Sequence, residues 1–210
     1  MGVAVKEYVE DGCVMGLWEI EEDFDTIFDK VSLDEDEKAT LFSFKNTDRQ
    51  IEWLSVRALL NDLTQQDSKI IYNQDHKPFL LDNSFNISIS HSKKLTSILL
   101  GKQKQVGIDL EYMSHRISRI AHKFINANEY ITSNKAFEQL HMYIHWCAKE
   151  ALYKICDKVN INFKENLTIK PFEIDHSGVI KGIHHNEGVY EEFRMSYQIR
   201  DNYVIVYCCK

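Results

Sequence analysis

The order of periodic segments along these 210 residues predicts a mixed fold of helices and strands, α+β. Three observations carry that prediction. Phe85 to Ser90, Val106 to Tyr112 and Phe193 to Ile199 alternate apolar with polar or small residues, the period of a strand. Asp48 to Leu63 and Phe137 to Ile155 carry apolar stripes at helical spacing. Each half of the chain runs strand first and helix second.

The length allows one domain or two small ones. Hydrophobic content of 44%, aromatic content of 11% and only two prolines describe an ordinary folded chain. A net charge of -7 argues against a nucleic-acid partner held by bulk positive charge. The five cysteines form no C-x-x-C pair and are odd in number, so they read as reduced thiols of the cytoplasm rather than a zinc knuckle or disulfide framework. No apolar run approaches the roughly twenty residues that span a bilayer, and the N-terminus lacks the layout of a secretory signal. Met1-Gly2 is a poor acylation site, because Lys6 stands where a hydroxyl residue is needed. No internal repeat or low-complexity segment is visible.

Along the chain, Val14 to Ile20 reads as a first strand, followed by an acidic segment with Asp23 and Asp25. Ser32-Leu33-Asp34-Glu35 fits a capping box, with Asp34 to Glu37 in the first turn of a helix. The helix from Asp48 to Leu63 turns Ile51, Leu54 and Ala58 inward and leaves Arg57 at the edge of the stripe. Phe85, Ile87 and Ile89 face a core, Asn86, Ser88 and Ser90 face away, and His91 ends the strand. A hairpin returns through Leu95 to Leu100, and Gly101 to Gln105 turns into the next strand, whose adjacency would bring His91 near its polar face.

That strand, Val106 to Tyr112, reads as half-buried and puts Asp109 and Glu111 on one face, roughly 7 Å apart. Such a pair repels itself unless a cation, a basic residue or solvent intervenes, and oxygen-only ligands favour magnesium or calcium. His115 to Phe124 is a basic segment in an acidic chain. In the helix ending at Ile155, Glu150 and Lys154 are one turn apart, so a third carboxylate and a cation share a flank. Three carboxylates beside a lysine suggest a metal-phosphate site. Beyond Pro171 and Phe172 a β-rich tail ends in a hairpin that turns at Asp201-Asn202. His184 and His185 are neighbours on a strand, so they face opposite ways and do not readily share a metal.

Gly107-Ile108-Asp109-Leu110-Glu111, followed about forty residues later by Trp146-Cys147-Ala148-Lys149-Glu150-Ala151-Leu152-Tyr153-Lys154, resembles the paired signature of the 4'-phosphopantetheinyl transferase superfamily. Length and upstream motifs resemble its long, surfactin-synthetase-activating branch. Glu52 to Leu60 is similar to the helix that precedes a Gly-Lys-Pro element in this family. Lys77-Pro78 is similar to that element, with His76 in place of the glycine, and Asn86 to Ser92 resembles its serine-histidine element.

The resemblance implies two similar subdomains, 1–104 with coenzyme A phosphate-binding elements and 105–210 with the magnesium and catalytic residues. They would pack as a pseudo-dimer around a central cleft, in a monomer. It implies transfer of 4'-phosphopantetheine from coenzyme A to a serine of an apo acyl or peptidyl carrier protein, with release of 3',5'-ADP. Asp109, Glu111 and Glu150 would hold Mg2+, and either Glu150 or a metal-ordered water would take the serine proton. Lys154 would stabilise the leaving group, with Lys149 assisting. Arg49, Arg57, Lys77, Ser90 and His91 would contact coenzyme A; for either arginine the bland alternative is a surface ion pair. Glu129 matches a family glutamate near the reaction centre, and the basic segment from His115 would dock the acidic carrier or merely be solvated. Two other readings stand beside this one: a non-catalytic homologue that binds coenzyme A or a carrier protein, and a metal-dependent phosphohydrolase.

Overall fold

The computed structural model describes residues 4–114, 116–156, 161–186 and 188–210, so Met1-Gly2 and His115 lie outside the described residues. Among these residues the chain is α+β, with five helices and three antiparallel sheets. It divides into two compact units at the Lys104–Gln105 bond.

The first unit opens with a hairpin, β1 (Ala4–Glu10) and β2 (Cys13–Glu19), around Gly12 at φ 74°. Sequence reading found β2 and missed β1. Lys6, Glu7 and Glu10 interrupt its apolar alternation, and at the sheet edge it needs no fully apolar face. Helix α1 (Phe24–Phe28) starts on Asp23, whose carboxylate accepts from Thr26 N. Helix α2 (Glu35–Ser43) is capped by Asp34, which accepts from Glu37 N at 2.9 Å. The expected box at Ser32 is therefore displaced by two residues, because Asp34 puts a charged acceptor on the helix N-terminus. Helix α3 (Thr47–Thr64) begins at Asn46, and its centre from Trp53 to Leu60 is buried on all sides. A short hairpin, β3 (Ile70–Tyr72) and β4 (Pro78–Leu80), precedes β5 (Asn86–Ser92) and β6 (Leu95–Gly101). The main sheet runs β1-β2-β6-β5 and packs its core against α3.

The second unit begins with β7 (Val106–Tyr112), continues through α4 (Ile117–Phe124) and α5 (Glu138–Ile155), and ends in β8 (Leu167–Ile169), β9 (Ser177–Asn186), β10 (Val189–Arg200) and β11 (Tyr203–Cys209). The sheet order is β7-β11-β10-β9-β8, with α5 across one face. The expected adjacency of the Leu95 and Val106 strands is corrected: β6 lies between β2 and β5, and β7 pairs with β11. The half-buried reading of β7 is corrected too, since Val106, Ile108 and Leu110 on one face and Gly107 and Asp109 on the other are all buried.

Both units contain one common motif within sheets that otherwise differ. A strand (β2, β7), an 18-residue helix (α3, α5) and a hairpin (β5-β6, β10-β11) follow in order, and the hairpin's second strand pairs antiparallel with the first strand. Both hairpins turn through two residues, with Lys93 at φ 54° and Asp201 at φ 51°.

Candidate functional site

In β7 the decisive residue is Gly107. A Cβ here would lie 2.2 Å from the carbonyl oxygen of Ala151 and 3.1 Å from the Ile155 Cβ, so only glycine lets α5 settle this low on the strand. That approach fixes which helical side chains meet the acidic face. Lys154 Nζ donates to Asp109 Oδ1 at 2.7 Å and to the Ile108 carbonyl at 2.9 Å. Burial first, and then the charges of Asp109 and Glu111, push the Glu150 carboxyl up to about 7, with Lys154 opposing them. The expected quartet of Asp109, Glu111, Glu150 and Lys154 is thus one electrostatic cluster within the second unit.

Cys147 lies one turn before Ala151 and touches the same cluster. Its thiol donates toward the Val204 carbonyl at 3.7 Å. Burial pushes the thiol pKa well up, and so do Asp109 and Glu111, so it stays an un-ionised floor to the site. Three carboxylates brought together around one ammonium suit a hard divalent cation, because its charge would relieve their repulsion and its ligands are oxygens.

Lys149 stands apart from this cluster. Its side chain is 0% exposed, and its ammonium donates to Glu129 Oε2 at 2.7 Å and to the carbonyls of Phe124 and Phe163 at 2.5 and 3.0 Å. Burial lowers its pKa and Glu129 raises it. All three donors are engaged, so the expected contact with coenzyme A is replaced by a structural one. Glu129 completes the tie by accepting from Asn126 N at 2.9 Å and Ile169 N at 2.7 Å. Its role was not legible, because nothing local in the sequence marks a partner 20 residues away.

In the first unit, Arg49 donates to Glu52 at 3.1 Å and to His91 Nε2 at 2.7 Å, bringing two expected coenzyme A ligands together at a solvent-exposed spot. Arg57 behaves otherwise. It is buried, pairs with Glu37 at 3.0 Å and stacks on Trp53, so its ion pair is a buried one and not the surface pair expected as the alternative. Burial lowers the Arg57 pKa while Glu37 raises it. Ser90 is buried in β5, where its carbonyl accepts from Ser97 Oγ at 3.1 Å. Lys77 ends the β3–β4 turn, with Nζ 5.9 Å from the Phe79 ring centroid. His76, in the position where the resemblance expects glycine, takes φ 59°. The turn survives because Asn73 Oδ1 accepts from both Asp75 N and Lys77 N.

Fold and side chains together define an α+β unit that carries three carboxylates and a lysine close together on one strand and one helix. Residues 105–208, all but the last two of the second unit, match the family model of the 4'-phosphopantetheinyl transferase superfamily. The match suggests phosphopantetheine transfer, in a family that uses coenzyme A as substrate and typically a divalent metal. No curated protein matches the chain. Among the described residues no helix is long and apolar enough to cross a membrane.

Proposed function

We propose that the protein transfers 4'-phosphopantetheine from coenzyme A to a serine of an apo acyl or peptidyl carrier protein, in the manner of the long, surfactin-synthetase-activating branch. The observation that carries this reading is the cluster of Asp109, Glu111, Glu150 and Lys154, set on β7 and α5 by Gly107 inside the matched domain. The shared strand, helix and hairpin order supports two similar halves.

Asp109, Glu111 and Glu150 would hold Mg2+, which supplies charge to offset that of the pyrophosphate as a nucleophile approaches. Either Glu150 or a metal-ordered water would take the proton from the serine Oγ as the Oγ–P bond forms at the β-phosphorus. The P–O bond to 3',5'-ADP breaks, and Lys154 donates to the oxygen on which charge develops. Lys154 is anchored by Asp109 and the Ile108 carbonyl, so its third N–H has a fixed aim. Arg49, His91 and Lys77 grip phosphates of coenzyme A, whereas Arg57 and Ser90 hold the scaffold of the first unit and Lys149 that of the second. The basic face of α4, with Arg119, His122 and Lys123 exposed, suits an acidic carrier protein. Such an enzyme works as a cytoplasmic monomer.

The test is incubation with Mg2+, coenzyme A and a panel of apo carrier proteins, read by intact mass. A gain of one phosphopantetheine, abolished by chelator and by Asp109→Ala, is the expected result. Coenzyme A binding with no gain on any carrier would instead favour the non-catalytic reading or an acceptor outside the panel.

A further inference from the structure

Cys156, His184 and Glu191 form a second group of metal-ligand side chains in the second unit, separate from the carboxylate cluster. One ligand atom from each lies within 4.8 Å of the others. The register of helix on sheet explains the convergence. Leu152 of α5 sits over Gly182 of β9, with Cδ1 2.7 Å from where a Cβ would be. Four residues further, about 6 Å along the helix, comes Cys156; two residues further along the strand, about 6.6 Å, comes His184. Helix and strand keep step, so the thiol arrives over the imidazole. Glu191 is the direct cross-strand partner of His184, and completes the group from β10.

Cys156 and His184 are buried and Glu191 is half-buried. The adjacent His185 faces out, as the strand period requires. Glu191 also pairs with Lys210, and a carboxylate's second oxygen can serve another cation. Sulfur, imidazole nitrogen and carboxylate oxygen from three elements are the donor set of a borderline-soft metal, whereas magnesium takes oxygen alone.

We propose that Cys156, His184 and Glu191 bind one divalent cation of the zinc class, with a fourth position left to solvent. On binding, the Cys156 thiol releases its proton to water, the thiolate and a neutral imidazole nitrogen donate lone pairs, and Glu191 contributes an anionic oxygen. The bound cation fastens the end of α5 to β9 and β10, two residues beyond Lys154. The competing arrangement, a His–Glu cross-strand pair beneath an inert thiol, predicts no cation binding.

Cobalt(II) is the probe, titrated into the full chain in the presence of excess Mg2+. Saturation at about one equivalent is expected, with a thiolate-to-cobalt charge-transfer band and tetrahedral visible bands that Zn2+ abolishes. Losing a ligand should weaken binding at least as much as the roughly 100-fold that losing an outer partner can. Cys156→Ser should therefore lose the charge-transfer band and bind about 100-fold or more weakly. Glu191→Gln keeps the thiol and gives an independent reading, a loss of at least about tenfold, should the serine variant fail to fold. Cys209→Ser and Asp109→Ala should retain the full spectrum. Absence of the charge-transfer band in the unmodified protein, its persistence in folded Cys156→Ser, unweakened binding in Glu191→Gln, or its loss in Cys209→Ser or Asp109→Ala would each overturn the assignment.

Discussion

Gly107 and Ala151 meet so closely that a single added methyl at position 107 would fall 2.2 Å from the Ala151 carbonyl oxygen. Gly107→Ala forces β7 and α5 apart, since backbone cannot step aside as a side chain can. Overpacking of this kind costs about 1–3 kcal/mol, and here the cost should sit at the upper end. Gly16→Ala is the control, because its Cβ would meet only the movable ends of Leu59 and Leu63. Thermal melts should rank Gly107→Ala below Gly16→Ala, and phosphopantetheine transfer should be lost only in the former.

Lys149→Met should destabilise the protein by about 3–5 kcal/mol, the usual cost of stranding a buried charge, here that of Glu129. Lys149→Met combined with Glu129→Leu should recover part of the loss. Urea unfolding of these two variants, of Glu129→Leu alone and of the parent gives the coupling. Equal stability of the single variant and the parent would remove Lys149 from the scaffold.

Arg49 and Arg57 separate ligand contact from structure. Arg49 forms a partly exposed pair of little stabilising value, so Arg49→Ala should leave the melting temperature unchanged and raise the KM for coenzyme A by about tenfold, one charged contact's worth. Arg57→Ala should instead cost about 3 kcal/mol by stranding Glu37, with the KM of the surviving folded enzyme little changed.

The raised Glu150 pKa gives stability a specific slope. The folded chain holds a proton up to about 7, whereas the unfolded carboxyl releases it near 4.5. Its contribution is therefore complete below 4.5 and is lost as pH rises through about 7. Melting temperatures of the magnesium-free protein and of Glu150→Gln should converge at low pH and separate as pH rises, with the glutamine variant the more stable. Added Mg2+ should stabilise the parent increasingly over the same window, since the cation competes with that proton.

His145 acts in the opposite sense. Burial lowers its pKa to about 3 from the ordinary 6.5, so the folded ring stays neutral while the unfolded one takes up a proton. The stability it supports is present above 6.5 and drains away as pH falls toward 3. His145→Phe, facing Phe172 at 5.5 Å between ring centroids, should shift the acid unfolding midpoint to lower pH.

Much of the acidic centre was legible because it depends on short periods. Asp109 and Glu111 share a face by the strand's period of two, and Glu150 and Lys154 share a flank by one helical turn. The lone glycine in a strand was also a readable signal of close backbone approach. Lys149 and Glu129 were not readable in this way, because their partnership is made by a loop returning over α5. Arg57 looked available at the edge of its stripe, yet α3 is packed on all sides and encloses it. At position 76 the side-chain acceptor of Asn73, three residues earlier, supports a turn at which the resemblance expects glycine.

The strand, helix and hairpin written twice in this chain are what duplication of one half would leave behind. The acids stand on the strand of the second copy, where Asp109 and Glu111 lie beneath α5, while the first copy's strand spends its length on Met15, Leu17 and Trp18. A chain with two copies of one scaffold can let chemistry accumulate in one and relax it in the other.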